Sequence, residues 1–392
     1  MKILFVAHSY PRWSGDRAGG HVHRLAQGGA SRGHQVLAVA PHAAGAKEGT
    51  DTIDGIAIRR FRYAADANER IGYQGAVGKS IGTLGGLAVL PRYLSKFRNA
   101  VRSAIVEFDP DLVSVHWWAP GALAAVGVPR PVAVTCHGSD VRLLGASALV
   151  RMIGRPVLAR VQGVSAVSQV MADDLARWGG RHDVVVTRLP VDETQFVPAA
   201  TRPAPPIVLF AGNLIRAKGV DVILRAAAIV HGAGVAFKLR LVGDGPDRPA
   251  FERLASELGV ASILEWGGTR AHDQMPAEFA ATSVAVLASR GPRGEGLPVM
   301  LVEAMMAGCA VLATPAGGIP ELVIDEETGL LARDGDAVHL AAQLDRLLLD
   351  AELRTKLAAA GRARALAQHG ERQATDQFYA FLQQVAGKGR SA

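Results

Sequence analysis

Residues 207–219 decide the fold, and they read IVLFAGNLIRAKG. Five apolar residues predict a buried strand, Gly212 ends it, and Gly219 opens an amphipathic segment that predicts a helix over 219–232. The preceding segment, 198–206, contains four prolines, and we interpret it as an extended linker. A strand and a helix that follow a linker predict the start of a second domain.

Short apolar runs alternate with longer amphipathic segments on both sides of this linker, which is typical of parallel sheets covered by helices. Strands are predicted at 3–7, 36–40, 56–60, 112–116, 132–135, 163–167, 184–186, 207–211, 238–242, 263–266, 284–288 and 310–314. Helices are predicted at 20–32, 72–107, 119–126, 147–159, 169–178, 219–232, 247–258, 274–281, 299–307, 336–348 and in the tail 351–386. We therefore predict an α/β chain of two doubly wound, Rossmann-like domains, with ligands in a cleft at the carboxyl ends of the strands.

Composition excludes several classes of protein. The chain has 392 residues, of which 49% are hydrophobic and 20% are charged, so it is neither disordered nor a disulfide-stapled small domain. Its two cysteines, Cys136 and Cys309, lie in apolar runs and suit a reducing compartment. The apolar start ends at His8, which is too short for a secretory signal. We expect a cytoplasmic enzyme.

The net charge of +7 is concentrated in one region, because residues 55–160 hold 14 basic and 6 acidic residues. The excess comes from the Arg59–Arg62 cluster and from a second group at roughly helical spacing: Arg92, Lys96, Arg98 and Arg102. Such a surface attracts anionic ligands, and we expect possible peripheral contact with the inner face of an anionic membrane through 71–106. No nucleic-acid partner is predicted, since no recognition helix or aromatic-interleaved strand accompanies the charge.

Two motifs in the first half carry candidate site residues. Gly19 and Gly20 follow the first strand and open a helix, so their backbone amides can approach an anion, although a plain strand–helix turn is the alternative. His137 ends a later strand and precedes a Gly-Ser-Asp turn, which places it at the ligand-binding edge. Three further residues are candidates for contact with an acceptor: His116, Trp117 and Asp140.

The strongest motif is residues 294–308, GEGLPVMLVEAMMAG. The predicted helix is apolar on nearly every face and yet carries Glu303, and a buried carboxylate needs a partner such as a sugar or ribose hydroxyl. Glu295 lies in the loop before it, where its side chain and the amides of Gly296 and Leu297 can reach the same ligand. Earlier in this half, Arg216 and Lys218 before a helix suggest a diphosphate clamp.

Other strand ends are expected to border the same half of the cleft. The segment Gly268-Thr269-Arg270 is suited to contact a flat base edge through its backbone, and the turns at 241–246 and 316–321 flank it. Two Asp-x-Asp sequences, at 109–111 and 334–336, are interpreted as turns, so no metal is predicted. A nicotinamide cofactor is disfavoured because no acidic residue closes the second strand.

These motifs, in this order, resemble the retaining glycosyltransferases of the GT-B fold, and in particular glycosyltransferase family 4. The matching blocks are the Gly19-Gly20 loop, the strand ending in His137-Gly138, the Gly212 to Gly219 turn, the 241–246 turn, and the Glu-x7-Glu segment from Glu295 to Glu303 with the Gly-Gly-Ile-Pro-Glu turn after it. The resemblance spans about residues 1–330.

The resemblance implies an acceptor-binding domain at 1–198, completed by a final helix within 371–392 that crosses back to it, and a nucleotide-sugar domain at 199–370. It implies contacts of Glu295 with the donor sugar, of Glu303 with the ribose and of Lys218 with the diphosphate, with His137 near the reacting face. It also implies a UDP- or GDP-sugar donor and a glycan, lipid-linked or small-molecule acceptor, as in surface polysaccharide or glycolipid synthesis.

One residue departs from the family pattern. The family commonly has Arg after the glycine of the third block, and this chain has Asn213, so the leaving diphosphate loses one cation unless Arg216 replaces it. Two alternatives stay open on the sequence alone. One is a sugar-nucleotide epimerase of similar fold, and the other is a donor-binding subunit without catalytic activity.

Overall fold

The structure is a computed structural model that describes residues 1–16, 18–65, 69, 71, 73, 84–292 and 295–388. The chain divides into two compact units. Unit 1 consists of Met1–Pro190 and the C-terminal residues from Ala374, and unit 2 consists of Val191–Gln373. Each unit is built around its own sheet, so the predicted pair of α/β domains is confirmed.

Unit 1 contains an eight-stranded sheet in the order β3-β4-β2-β1-β5-β6-β7-β8. Its strands pair in parallel except for the edge strand β3, which is antiparallel to β4. The central strands are apolar and almost entirely buried, as expected for a parallel sheet covered on both faces. The strands are β1 Lys2–Ala7, β2 Gln35–Pro41, β3 Gly49–Ile53, β4 Ile56–Phe61, β5 Leu112–His116, β6 Val132–Cys136, β7 Gly163–Ala166 and β8 Val185–Val186.

Helices connect these strands and cover the sheet. They are α1 Gly20–Ala30, α2 Leu84–Phe108, α3 Leu123–Ala125, α4 Ser139–Ala146, α5 Ala148–Ala159 and α6 Gln169–Asp174. Short π-helical turns at Trp118–Ala122 and Leu175–Gly179 adjoin α3 and α6.

Unit 2 contains a six-stranded parallel sheet in the order β11-β10-β9-β12-β13-β14. The strands are β9 Ile207–Ala211, β10 Lys238–Val242, β11 Leu264–Gly268, β12 Val284–Leu287, β13 Ala310–Ala313 and β14 Leu330–Leu331. The helices are α7 Val220–Gly232, α8 Arg248–Glu257, α9 Met275–Ala280, α10 Val299–Met306, α11 Ile319–Leu322, α12 Ala337–Leu349 and α13 Ala351–His369. One core of buried aliphatic and aromatic side chains joins this sheet to its helices.

The last helix, α14 Glu371–Lys388, packs on unit 1, as the resemblance implied. Phe378 is fully buried, with its ring 6.2 Å from that of Phe5 in β1. The Tyr379 hydroxyl donates a hydrogen bond of 2.9 Å to the Leu25 carbonyl of α1. A Cβ on Gly29 would lie 2.0 Å from that hydroxyl, so α1 can approach the helix this closely only with glycine there.

The strand order places a ligand-binding position in each unit. In unit 1 the order reverses between β1 and β5, and in unit 2 it reverses between β9 and β12. Connections leave such a reversal in opposite directions, which opens a crevice at the carboxyl ends of the two strands. The segments after β1 and β5, and those after β9 and β12, are therefore the positions where functional side chains are expected.

Most predicted strands and helices agree with the structure within a few residues, and the differences are local. The strands β3 and β14 and the helix α4 were not predicted. The proline-rich segment 198–206 lies within unit 2, where Arg202 donates to the Ala307 carbonyl at 2.9 Å. Of the helix predicted at 72–107, residues 84–107 are helical in α2. Residues 72 and 74–83 lie outside the described part of the chain, and so do Arg17 and Arg293-Gly294.

Replacing Phe378 with Ala is expected to destabilise unit 1 by about 3–5 kcal/mol, because the cavity left by a buried ring is costly. The background should carry Trp266→Phe, since the four remaining tryptophans, Trp13, Trp117, Trp118 and Trp178, all belong to unit 1. Denaturant unfolding followed by tryptophan fluorescence then measures unit 1 alone. Gln377→Ala, on the exposed side of the same helix, should change the free energy of unfolding by less than about 0.5 kcal/mol. Equal effects of the two substitutions would contradict the packing of α14 on unit 1.

Candidate active site

A partly buried ion pair lies at the crevice of unit 2. Lys218, which follows β9, donates from Nζ to Oε1 of Glu295 in a short contact. Ser289, just after β12, donates its hydroxyl to the same oxygen at 2.5 Å. The Glu295 side chain is 8% exposed and that of Lys218 is 26% exposed. The structure thus brings two of the predicted site residues together where the strand order reverses.

Two glycines allow this approach. Gly219 has φ of +68° and caps α7, and a Cβ there would lie 1.8 Å from the Ala288 carbonyl oxygen. Gly317 has φ of +55°, and its Cβ would lie 1.8 Å from the Glu295 carbonyl oxygen. A side chain at either position would force the segments around Lys218 and Glu295 apart.

The other residues of unit 2 that were predicted to contact the donor differ in their exposure and in their hydrogen-bond partners. Arg216 is exposed, and its backbone amide donates to Asp247 at 2.8 Å, which positions the turn without using the guanidinium. Asn213 is also exposed. The guanidinium of Arg270 is bound to Glu278 at 2.9 Å, so this side chain is already engaged, while the neighbouring Thr269 is exposed.

Glu303 lies on α10 and its side chain is 10% exposed, as the apolar surroundings of this helix predicted. Its Oε1 lies 3.9 Å from Nδ1 of His272, in the turn before α9. Gly296 and Leu297 precede the helix and are buried and half-buried. Gly268 has φ of +64° at the end of β11, and its carbonyl accepts the amide of Gly243 at 2.8 Å, so the strand ends are joined backbone to backbone.

A histidine cluster lies at the crevice of unit 1. It consists of His8 after β1, His21 in α1, His116 at the end of β5 and His137 after β6. Nδ1 of His116 and Nε2 of His137 are 3.0 Å apart, and the rings of His21 and His137 are 4.6 Å apart. Trp117 completes the cluster, with its ring 4.5 Å from His137 and 4.4 Å from His8.

The histidine cluster is held neutral. Burial lowers the pKa of His21 to about 4, and burial together with the charge of His21 lowers that of His8 to about 4. The pKa values of His116 and His137 are lowered well below the usual range, first by burial and then by the neighbouring histidines. Each histidine has one buried ring nitrogen that hydrogen-bonds to none of the described residues. Neutral imidazoles with open nitrogens can donate to and accept from hydroxyl groups.

The backbone around this cluster is also unusual. Trp117 has φ of +65°, which a bulky residue rarely adopts, and its amide donates to the Thr135 carbonyl at 2.9 Å. Such strain tends to be retained at functional sites. Gly19 and Gly20 precede His21, and Gly19 packs on Ser9, since its Cβ would lie 2.2 Å from the Ser9 carbonyl oxygen.

Asp140 has a positioning role in the structure. Its buried carboxylate accepts the amides of His137 at 3.1 Å, Gly138 at 3.0 Å and Trp118 at 3.1 Å. Burial raises the pKa of Asp140, and these hydrogen bonds oppose the rise. Because both oxygens bind backbone amides, Asp140 fixes the turn that carries His137.

Three neighbours of the predicted site residues were missed. Ser289 and His21 were not singled out in the sequence, and His8 was noted only as the end of the first apolar run. For His8 a signal was present, because it directly follows an apolar run predicted as a strand, and residues after adjacent parallel strands meet at one edge. Within the described residues no three His, Cys, Asp or Glu side chains are grouped as metal ligands. In each Asp-x-Asp segment a carboxylate accepts a backbone amide. Asp111 accepts the amide of Lys2, and Asp334 accepts the amide of Gly291.

Two family models match the chain. The glycosyl transferases group 1 model covers residues 191–364, and the glycosyltransferase family 4 model covers residues 18–195. The chain is 31% identical to a putative colanic acid biosynthesis glycosyltransferase of Escherichia coli K12, over 65% of this chain and 67% of that protein. It is 29% identical, over 94% of both chains, to a GDP-mannose-dependent alpha-(1-6)-phosphatidylinositol monomannoside mannosyltransferase of Mycobacterium tuberculosis. Sucrose-phosphate synthase from Thermosynechococcus elongatus shares the fold with a TM-score of 0.81 at 21% identity, over 99% of this chain and 100% of that one.

The free energy of unfolding is expected to fall as the pH drops from 6.5 towards 4. The histidine cluster has lowered pKa values in the folded chain, so the unfolded chain binds more protons in this window and gains stability relative to the folded one. Each histidine that titrates contributes a slope of about 1.4 kcal/mol per pH unit. Denaturant unfolding of His21→Gln should show a shallower slope than the parent chain.

His182→Gln is the matched control, because His182 is exposed in the same unit. Its slope should equal that of the parent. A parental slope in His21→Gln as well would contradict the assignment of the pH dependence to the histidine cluster.

Proposed function

The chain belongs to the glycosyltransferases of group 1, and from this membership we propose that it moves a sugar from a nucleotide-diphosphate donor to a hydroxyl acceptor with retention of anomeric configuration. The single observation that carries the proposal is the Lys218–Glu295 pair at the crevice of unit 2. It supplies a cation for the diphosphate and a carboxylate for sugar hydroxyls within one contact.

Donor binding exchanges the partners of this pair. The diphosphate takes Lys218, and the hydroxyls of the sugar take Glu295, which Ser289 continues to orient. Glu303, nearly buried on α10, binds the ribose hydroxyls. The amides at Gly296 and Leu297 and the backbone of Gly268 to Arg270 line the remaining donor surface in this proposal.

The reaction breaks the bond between the anomeric carbon and the diphosphate oxygen, and the acceptor oxygen bonds to the same face of that carbon. Negative charge develops on the leaving phosphate, and Lys218 with Arg216 stabilises it. The leaving phosphate takes the acceptor proton, so no protein nucleophile is needed. The oxocarbenium-like transition state is oriented by Glu295, and the reaction uses no metal.

The histidine cluster of unit 1 supports an acceptor rich in hydroxyl groups. His137 and His21 are half-buried, and each has a buried ring nitrogen without a hydrogen-bond partner among the described residues, which a sugar hydroxyl could satisfy once it enters the cluster beside Trp117. The name of one relative refers to colanic acid biosynthesis, and that of the other refers to mannosyl transfer to phosphatidylinositol monomannoside. We therefore place this chain in surface polysaccharide or glycolipid synthesis, acting in the cytoplasm on a glycan or lipid-linked acceptor.

The donor prediction uses a thermal-shift panel of UDP- and GDP-sugars. One nucleotide sugar should raise the melting temperature by about 2–4 °C for each kcal/mol of binding. The shift should disappear in Glu303→Ala and in Lys218→Met/Glu295→Gln, where both charges of the pair are removed together so that neither is left bare.

Lys356→Met is the matched control, because Lys356 is exposed on α13 of the same unit, and it should keep the full shift. A shift that persists in the double variant would contradict the donor site. Release of an altered sugar nucleotide without any acceptor would support the epimerase alternative, and donor binding without turnover would support a donor-binding subunit.

Sugar transfer is expected to continue undiminished in excess chelator, because in this proposal Lys218 and Arg216 replace a divalent cation at the diphosphate. The measurement is product formation with and without EDTA at saturating donor. Loss of transfer that added Mn²⁺ restores would contradict a metal-independent reaction.

A further inference from the structure

The helix α5 of unit 1 exposes an apolar strip. Leu149 is 62% exposed, Met152 is 67% exposed and Ile153 is 48% exposed. At 100° per residue these side chains and Pro156 share one side of the helix, while Gly154, Val157 and Leu158 face the core on the other. Three large exposed apolar side chains on neighbouring turns form a patch that ordinary surface helices avoid.

Arginines accompany this strip along the chain, and no acidic residue lies among them. Residues 141–172 contain four arginines and no Asp or Glu. Arg151 donates to the Leu144 carbonyl at 2.9 Å and Arg155 to the Trp178 carbonyl at 2.9 Å, so both are held in place by neutral groups and keep their charge. Arg142 and Arg160 are exposed, and Arg160 continues the side of α5 that carries the strip.

The basic cluster singled out in the sequence is a weaker candidate. Arg59 pairs with Glu107, Arg62 pairs with Glu48, and Arg60 is buried with its guanidinium on the Pro11 carbonyl and the Tyr73 hydroxyl. These contacts neutralise or bury the cluster. On α2, Arg92 and Lys96 are exposed, and the exposed neighbours Ser95 and Asn99 are polar.

We infer that α5 docks unit 1 onto an anionic lipid surface, with Leu149, Met152 and Ile153 inserted at the level of the headgroups and Arg142, Arg155 and Arg160 on the lipid phosphates. Apolar side chains flanked by arginines on one helix side are the pattern of an interfacial helix. A second copy of this face would bring like charges together, which disfavours self-association as its occupant. Within the described residues no helix is long and apolar enough to cross a bilayer.

This inference deepens the proposed function, on which it rests in one respect, since the face would hold unit 1 at the surface that carries a lipid-linked acceptor. Its test needs neither donor nor acceptor. A failure to bind lipid therefore leaves the transfer reaction standing, and a failure of transfer leaves the docking surface standing.

The experiment is co-sedimentation of the full chain with vesicles of phosphatidylcholine, with and without phosphatidylglycerol, at low salt. The parent chain should pellet with the anionic vesicles. Leu149→Ser/Met152→Ser/Ile153→Ser should lower the partition coefficient by about tenfold or more, because apolar burial is lost. Arg142→Gln/Arg160→Gln should lower it by about fivefold for each arginine.

Two matched controls accompany these variants. Val338→Ser/Leu349→Ser removes two equally exposed apolar side chains from α12 of unit 2, and Arg92→Gln/Lys96→Gln removes two exposed charges from α2. Both should bind like the parent. A third test uses an environment-sensitive dye attached to Met152→Cys, which is labelled selectively because both native cysteines are buried. The emission of this dye should shift to the blue on anionic vesicles. The emission of the same dye at Val338→Cys should not shift.

Several outcomes would overturn the inference. Binding that the α2 variant abolishes and the α5 variants keep would place the contact on α2. Equal binding of the parent chain to vesicles with and without phosphatidylglycerol would show that the arginines do not contribute through their charge. A dimer in sedimentation equilibrium that the triple serine variant dissociates would make the strip an interface between copies of the chain.

Discussion

A carboxylate withdrawn from water needs a cation or hydrogen-bond donors, and Glu295 shows how much of unit 2 serves that need. Lys218 and Ser289 reach it from the ends of β9 and β12, the two strands between which the sheet order reverses. The glycines at 219 and 317 let the backbone come close enough for both contacts. Strand order, turn chemistry and charge therefore converge on one oxygen atom.

The crevice of unit 1 differs from that of unit 2, because its polar side chains are uncharged. It gathers four histidines and a tryptophan, and burial keeps the histidines uncharged. The carboxylate of Asp140, in the turn that carries His137, is occupied by backbone amides. A charged crevice in unit 2 and a neutral one in unit 1 match the two halves of the proposed reaction, since the donor carries a diphosphate and the acceptor offers hydroxyl groups.

The sequence carried enough to predict the fold because fully buried parallel strands appear as uninterrupted apolar runs. The strand β3 lacks that signal, since Gly49–Ile53 is mostly polar and exposed. Its hairpin with β4 turns at Asp54-Gly55, both at positive φ, and an Asp-Gly pair of this kind was the available clue. The helix α4 was missed because the Gly-Ser-Asp sequence at 138–140 was interpreted as a turn, whereas the helix begins at Ser139.

The site was predictable to the extent that it depends on local sequence. A strand end, a cation and an apolar helix with a carboxylate are visible in the order of residues, so Lys218, Glu295 and Glu303 could be named. Their contacts were not, because Lys218, after β9, meets Glu295, after β12, only through the side-by-side position of these two strands. The histidine cluster has the same origin, since its four members come from segments far apart in sequence and share only the edge of one sheet.

The Lys218–Glu295 pair also bears on what Asn213 changes. While the pair is closed, the positive charge of Lys218 is balanced, so the crevice offers a diphosphate little net attraction from these two residues. A nucleoside diphosphate that takes Lys218 without offering sugar hydroxyls leaves the buried Glu295 carboxylate with the Ser289 hydroxyl but without a cation, which costs several kcal/mol. On the proposed function, a donor that carries its sugar avoids this cost because it satisfies both partners at once. On the same proposal, with Asn213 in place of the family arginine, the sugar of the donor is needed to separate Lys218 from Glu295.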